Sequence, residues 1–316
     1  MLAILEIVVP VFSLILLGWA AARFGYLSEG TGKILAQFAF KVAMPALLFR
    51  ATLNTGPWNG DPILLAVVYF GLLLSVWVAA SLAARFLLRR PTADSPAIAM
   101  AACFGNTVML GIPVALSAFG EAAAVPVALI ITIDTPLLWL VATIQMELIR
   151  AREQGSTFQL AALAGVTRDV FLNPIVLPLI LGTIGREAGL VLPSIADKLL
   201  SLLQQAAVPT ALVALGTSLV SFQLKGQRAT ISVILLLKML VFPALVFFGT
   251  RGLDLPPVWI AVATVLAAMP VGANAYLFAS RYDRAVGSTS AAVAASTAFA
   301  VVTVSVTLYL LRLAPL

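Results

Sequence analysis

The chain has 316 residues, of which 62% are hydrophobic and 10% carry a charged side chain. A soluble domain carries about 25% charged residues, so this composition excludes a water-soluble globular fold. The net charge of +6 does not indicate nucleic-acid binding, because the basic residues lie singly at the ends of apolar runs. With no His and one Cys, Cys103, the chain lacks zinc-finger spacings, disulfide pairs and histidine acid–base chemistry.

Ten apolar runs of about 20 residues, the length that a helix needs to cross a bilayer, follow one another along the chain. The predicted spans are residues 4–23, 33–53, 62–88, 96–120, 124–149, 168–186, 198–221, 230–250, 257–280 and 287–311. The first span has no basic region before it and contains Glu6, so we expect a retained helix and not a signal peptide. The sequence therefore predicts an all-α integral membrane protein surrounded by lipid.

The distribution of Lys and Arg predicts the orientation of the ten spans. One face carries twelve basic residues: Arg23, Lys33, Arg85, Arg89, Arg90, Arg150, Arg152, Arg168, Lys225, Arg228, Arg281 and Arg284. The other face carries five: Arg50, Arg186, Lys198, Arg251 and Arg312. The richer face is expected to be cytoplasmic, which places both termini outside the cytoplasm and makes residues 151–167 a cytoplasmic linker.

Residues 1–150 and 168–316 are predicted to be two related five-helix halves. An offset of 164 superposes Pro10 on Pro174, Gly18 on Gly182 and Pro45 on Pro209, and an offset of 157 superposes Pro113 on Pro270. Because five is an odd number, two such halves cross the membrane in opposite senses, as in the inverted repeats of many secondary transporters. The alternative is coincidence, since prolines are common in membrane spans.

The fourth and ninth spans are predicted to be broken helices. Gly105, Asn106, Gly111 and Pro113 lie at mid-membrane depth, and residues 268–274 repeat the combination of proline, glycine and amide. Proline removes a backbone donor, and glycine lowers the cost of leaving helical geometry. Non-helical backbone within a bilayer is tolerated where it is buried in protein or lines a cavity. The two breaks are therefore expected to form the site.

Each break exposes the N-terminus of a half-helix, whose free amide groups attract an anion. The side chains of Asn106 and Asn274 both donate and accept hydrogen bonds, which suits a carboxylate. The alternative is that each amide only caps a helix end. The candidate substrate-binding residues are Asn106, Thr107, Gly111, Pro113, Pro270, Gly272 and Asn274.

Three ionisable residues lie within spans and are candidate coupling or charge sites: Asp134, Lys41 and Lys238. A charge at that depth is expensive unless it is paired, hydrated or protonated. Asp134 is the candidate site for a coupling proton or sodium ion; the alternative is that it caps a kink at Pro136 or pairs with a lysine. Either lysine could attract the anion, or snorkel to the interface. No metal site or other cofactor is predicted.

The chain resembles the auxin efflux carrier family of membrane transport proteins. The resemblance is strongest in residues 106–113 of the fourth span, with further matches at Met269-Pro270, residues 278–282 and the second span around Pro45. It implies two inverted five-helix repeats with crossover helices 4 and 9, a fold like that of bile-acid transporters and sodium–proton antiporters. Spans 1, 2, 6 and 7 would form a scaffold and a homodimer contact, and the other six a transport domain.

The resemblance also implies that Asn106, Pro113 and Pro270 are crossover-site positions. Plant members have a long central cytoplasmic loop, which this chain lacks, and usually carry a polar residue where this chain has Val271. Auxin itself is therefore a less expected substrate than a small carboxylate, such as malonate or malate, carried across a bacterial inner membrane.

The resulting hypothesis is a secondary transporter that moves a small organic anion by an elevator type of alternating access. The alternative is an uncoupled channel or uniporter for the same anions. An intramembrane enzyme is disfavoured, because there is no His for a Ser–His dyad, no pair of intramembrane Asp residues and no Asp-rich diphosphate motif.

Overall fold

The computed structural model describes residues 2–28, 30–54, 60–154, 176–220 and 226–313. Within these ranges the regular structure is helical, apart from one isolated β-bridge between Gly105 and Val271. The predicted all-α class is therefore confirmed. Pro174, Arg168, Lys225 and most of the predicted linker 151–167 lie outside the described residues.

The described helices follow the predicted spans closely, with ends that differ by up to about five residues. They are α1 Leu2–Arg23, α2 Thr31–Asn54, α3 Pro62–Leu87, α4a Ser95–Cys103, α4b 107–119, α5 Ala124–Gln154, α6 Val176–Glu187, α7 Ser194–Leu219, α8 Arg228–Thr250, α9a Pro257–Ala267, α9b Ala273–Tyr282 and α10 Val286–Leu313. Over the described residues, seven helical stretches are long and apolar enough to cross a membrane. The remaining predicted spans are the interrupted fourth and ninth spans, and the sixth, which begins outside the described ranges.

Three prolines inside these helices each follow a widened, π-helical turn by two residues. The turns are Ala39–Ala43 before Pro45, Thr107–Gly111 before Pro113, and Leu237–Val241 before Pro243. A proline ring clashes with the carbonyl four residues earlier and offers that carbonyl no N–H group. In each case that carbonyl lies in the π-helical turn, so the wider turn absorbs the proline without ending the helix.

Helices α1 and α2 pack closely against α7 and α6 through glycines. A Cβ atom added to Gly18 would overlap the carbonyl oxygen of Val213, and one added to Gly182 would lie 2.6 Å from the carbonyl oxygen of Phe49. Residues 18 and 182, like residues 49 and 213, are separated by 164 positions. Adding 164 to the residue numbers of the first half thus converts one contact into the other, as the predicted offset requires.

An ion pair joins α2 to α7 next to Phe49, the residue that Gly182 contacts. The guanidinium of Arg50 donates to both carboxylate oxygens of Asp197, at 2.8 and 3.3 Å, and to the Oε1 of Gln204 at 2.9 Å. The planar fork of arginine matches a carboxylate in this two-bond geometry. The contact fixes the relative register of two helices from opposite halves of the chain.

The interrupted helices occupy the most buried part of the fold. Every residue of α4a is buried, and so is every residue of α9a from Trp259 onwards. They are packed among α3, α5, α8 and α10, whose apolar side chains make up much of the largest core cluster. The interruptions thus lie inside the protein, away from its surface.

Candidate substrate site at the crossing of α4 and α9

The two interruptions, 104–106 between α4a and α4b and 268–272 between α9a and α9b, are paired backbone to backbone. The N–H of Asn106 donates to the carbonyl oxygen of Pro270 at 2.7 Å, and the N–H of Gly272 donates to the carbonyl oxygen of Phe104 at 2.9 Å. These bonds replace those that a helix would have supplied, which makes extended backbone tolerable at this depth. We call these two paired segments the crossing.

The ends of the half-helices correct one part of the sequence interpretation. Helices α4a and α9a end at Cys103 and Ala267, which are 164 positions apart, and α4b and α9b begin at residues 107 and 273, which are 166 positions apart. Pro270 lies in its interruption, whereas Pro113 lies inside α4b. The positions of the two prolines therefore disagree with the predicted superposition of Pro113 on Pro270 at an offset of 157, and the half-helix ends stay close to the offset of 164 predicted for α1 and α6.

Pro113 does not mark the break in the fourth span. Helix α4a ends at Cys103, and Pro113 is a buried residue within α4b, just beyond its π-helical first turn. A break at Pro113 is therefore predicted in the wrong position, because the π-helical turn Thr107–Gly111 accommodates the proline within the helix. Pro270, in contrast, lies within its interruption, as predicted.

Two glycines closely approach neighbouring residues at or beside the crossing. A Cβ on Gly272 would lie 2.7 Å from the carbonyl oxygen of Gly105, and a Cβ on Gly111 would lie 2.7 Å from the Cδ2 of Leu266. Real side chains do not tolerate such distances without a shift of the neighbour. Gly272 thus lets the two backbones pair, and Gly111 lets α4b pack against α9a.

Asn106 caps α4b with one end of its side chain and leaves the other end free. Its Oδ1 accepts a hydrogen bond from the N–H of Met109 at 3.3 Å, while its backbone oxygen accepts from Leu110 and Gly111. The side chain is 9% exposed, and the described residues provide no hydrogen-bond partner for its Nδ2. Capping and substrate contact are therefore compatible, because different atoms serve them.

The N-terminus of α9b has no side-chain cap among the described residues. Its N-cap residue is Gly272, whose carbonyl oxygen accepts from the N–H of Ala275 at 3.1 Å. The N–H groups of Ala273 and Asn274 precede the first bond of this helix and receive no partner from it. Asn274, in the first turn of this helix, is half-buried.

Ser296 of α10 is a crossing residue that sequence reasoning missed. Its hydroxyl accepts a hydrogen bond from the N–H of Val271 at 3.0 Å and donates to the carbonyl oxygen of Val293 at 3.1 Å. It thereby satisfies the backbone donor between Pro270 and Gly272. A serine in a long span of small residues gives no spacing signal that could have identified it.

The N-termini of α4b and α9b begin immediately after the paired segments, so both positive helix ends border the crossing. Because the bridge between Gly105 and Val271 is antiparallel, the two helices leave the crossing in opposite directions. Around them lie Asn106, Thr107 and Asn274, all polar and uncharged. Thr107 is buried beside Gly105 and Gly111. A helix N-terminus favours an anion through its free amides and its dipole. This arrangement suits a small anion with two or more acceptor oxygens.

Of the two predicted lysines, Lys238 lies at the crossing. It is fully buried, and its Nζ donates to the carbonyl oxygen of Ala267, the last residue of α9a, at 2.6 Å. The same ammonium lies 5.0 Å from the centre of the Phe242 ring and next to the α-carbon of Gly105. Lys41 is exposed on α2, and the structure does not bring the two lysines together.

Asp134, in the middle of α5, is 2% exposed, and its Oδ2 atom is buried without a hydrogen-bond partner in the described residues. Its carboxyl interacts electrostatically with Lys238, but the two form no direct ion pair within the described part of the chain. Helix α5 continues through Pro136. Asp134 makes no capping hydrogen bond within the described residues, and its interaction with Lys238 leaves pairing with a lysine as a prediction.

A second polar cluster joins α3, α4a and α5 on the side where α4a begins. The Oε1 of Gln145 accepts from the indole N–H of Trp77 at 2.8 Å, and its Nε2 donates to the hydroxyls of Ser81 and Ser95 at 3.2 and 3.4 Å. These bonds satisfy the amide inside the protein. The cluster holds the N-terminal end of α4a against α5. It thereby helps to position the C-terminal end of α4a at the crossing.

Comparison with known proteins gives matches along nearly the whole chain. The family described as Membrane transport protein matches residues 3–308. A protein of Rhizobium meliloti (strain 1021) named "Putative malonate transporter" is 31% identical over 322 residues, which cover 99% of this chain and 97% of that protein. An uncharacterized transporter of Methanocaldococcus jannaschii is 31% identical over 120 residues, 37% of this chain and 39% of that protein.

Proposed function

The chain belongs to the auxin efflux carrier family of membrane transport proteins, and from this premise we propose that it carries a small dicarboxylate, such as malonate, across the membrane. The family makes it a transporter and not an enzyme. The identity of the substrate rests on the chemistry of the crossing and on the name of the Rhizobium meliloti relative.

The observation that supports the proposal is that two helix N-termini border one crossing, beside polar, uncharged side chains. One carboxylate of malonate would bind at the amides that begin α4b and at the Nδ2 of Asn106. The other carboxylate would bind at the amides that begin α9b, beside Asn274. A dicarboxylate matches two positive ends that belong to different helices better than a monocarboxylate does.

We further propose ten spans arranged as two inverted repeats, 1–150 and 168–316, with both termini outside the cytoplasm of a bacterial inner membrane. The exchange-related contacts of Gly18 with Val213 and of Gly182 with Phe49 support this repeat. Spans 1, 2, 6 and 7 would form a static scaffold and a homodimer contact. The other spans would move against the scaffold as an elevator and carry the crossing from one side to the other.

Exchange of labelled malonate tests the proposed function directly. Purified protein in liposomes loaded with unlabelled malonate is expected to take up external labelled malonate, whereas empty liposomes are not. Asn106→Ala should reduce this exchange strongly. Gln205→Ala, which removes an exposed amide on α7, serves as the matched control and should exchange like the parent. A parent protein that exchanges no malonate, succinate or malate would overturn the proposal.

A further inference from the structure

We propose that Lys238 takes the place of a bound metal cation at the crossing, and that Asp134 carries a coupling proton, so that transport is driven by a proton gradient and not by sodium. This inference rests on the proposed function, because it names the coupling ion of the same site. It is carried by two fully buried groups of opposite charge, one of which has an unpartnered oxygen.

Lys238 occupies the position where the crossing would otherwise attract a cation. The C-termini of α4a and α9a both end at the crossing, and the carbonyl groups of a helix C-terminus carry partial negative charge. In transporters with broken helices, such carbonyl groups coordinate sodium ions. Here the ammonium of Lys238 already binds the last carbonyl of α9a at 2.6 Å and lies beside Gly105. A tethered cation thus satisfies the last carbonyl of α9a, where a free cation would otherwise bind.

Asp134 is the only acidic residue among the described groups that interact electrostatically with Lys238. The titratable groups that interact electrostatically with it are Lys238 on α8, Tyr69 on α3 and Cys103 on α4a. Cys103 directs its thiol to the carbonyl oxygen of Leu73 at 3.6 Å. No described hydrogen-bond donor satisfies the Oδ2 of Asp134. An orphan carboxylate oxygen in so apolar a place is a site for a proton.

The two charges link the proton to the anion. When Asp134 is ionised, its charge compensates that of Lys238, and the crossing is electrically neutral. A proton that binds Oδ2 from water removes the negative charge and leaves the ammonium of Lys238 uncompensated. Buried charges interact strongly at low dielectric, so the net positive crossing then favours an anion at the helix N-termini. Proton and anion therefore bind together and are released together.

The test is uptake of labelled malonate into proteoliposomes, with the membrane potential clamped and the proton and sodium gradients varied one at a time. The parent should accumulate malonate against its gradient when the outside is more acidic, with a limit of about tenfold per pH unit for one proton per anion. A sodium gradient should have no effect. Asp134→Asn should retain malonate exchange but lose accumulation, because its side chain is neutral at every pH.

Matched variants separate coupling from general damage. Glu153→Gln removes an exposed acid from the end of the same helix and should accumulate malonate like the parent. Lys238→Met should lower malonate exchange at least about tenfold, since it removes the buried positive charge. Lys238→Arg keeps that charge and should retain part of the exchange. Lys33→Met removes an exposed lysine of α2 and should not lower exchange. The thermal unfolding midpoint of each variant in detergent separates misfolding from lost transport.

The outcomes distinguish the two proposals. Absence of malonate exchange in the parent would contradict the proposed function itself. Exchange without accumulation in a proton gradient, accumulation driven by sodium, or undiminished proton-driven accumulation by Asp134→Asn would each overturn the coupling inference and leave the proposed function in place. Loss of proton-driven accumulation with retained exchange in Asp134→Asn supports it.

Discussion

The backbone N–H of Asn106 donates a 2.7 Å hydrogen bond to the carbonyl oxygen of Pro270, and this bond ties the start of one half-helix to the interruption of the other. The side chain of the same asparagine caps α4b through Oδ1. Asn106 is thus held at both its backbone and one side-chain atom. Its Nδ2 is therefore held next to the N-terminus of α4b, as a preorganised donor for an anion.

Asn106→Asp separates the capping role of this residue from its proposed substrate contact. Aspartate keeps an oxygen that can cap Met109, but it replaces the Nδ2 donor with a second, negatively charged oxygen. We expect the thermal unfolding midpoint to stay close to that of the parent. Malonate binding, measured by calorimetry, should weaken at least about tenfold, because a hydrogen bond to a charged group is lost and repulsion is added. Unchanged malonate affinity would leave Asn106 with the capping role alone.

Gly272→Ala tests whether the close pairing of the two interruptions is necessary for stability. The added methyl group would lie 2.7 Å from the carbonyl oxygen of Gly105, so the backbones must separate and weaken the bond to Phe104. A loss of about 1–3 kcal/mol is expected from such overpacking, measured by thermal or denaturant unfolding in detergent. Gly71→Ala on α3 is the control, because nothing lies within 4 Å of its added Cβ.

The sequence was sufficient to predict the parts of the fold that depend on hydropathy and backbone chemistry. Runs of apolar residues identified the helices to within a few residues, because burial in lipid demands that pattern over a whole span. The concentration of glycine and amide around Asn106, and of proline and glycine around Pro270, identified both interruptions. Glycine, proline and asparagine are common where the backbone leaves helical geometry, so these residue types indicate where a helix is interrupted.

The sequence could not predict features that depend on three-dimensional register. Pro113 indicated a break that lies instead at residues 104–106, because a widened turn absorbs the proline. Lys41 and Lys238 are at similar depths in their spans, and only packing buries the second at the crossing while the first stays exposed. Ser296 meets Val271 through a long-range contact, and no local pattern encodes such a contact.

Ser296→Ala, a substitution on α10, should destabilise the interruption between α9a and α9b. The substitution leaves the buried N–H of Val271 without its 3.0 Å acceptor, and an unsatisfied buried donor costs about 1–3 kcal/mol. We expect a lower unfolding midpoint and slower malonate exchange. Ser305→Ala is the control on the same helix, because that exposed hydroxyl bonds only to the carbonyl oxygen of Val301 in its own helix. Equal effects of the two substitutions would argue against a specific role for Ser296.

Gly18→Ala and Gly182→Ala test the inverted repeat. A Cβ at either position would meet a backbone carbonyl oxygen, that of Val213 in the first case and that of Phe49 in the second. If the two contacts are equivalent, the substitutions should destabilise the protein by similar amounts, each about 1–3 kcal/mol. Because the two contacts involve different neighbours, Val213 in the first case and Thr52 and Phe49 in the second, the double variant should show about the sum of both losses. A large loss for one substitution and none for the other, measured by unfolding in detergent, would contradict the equivalence of the two halves.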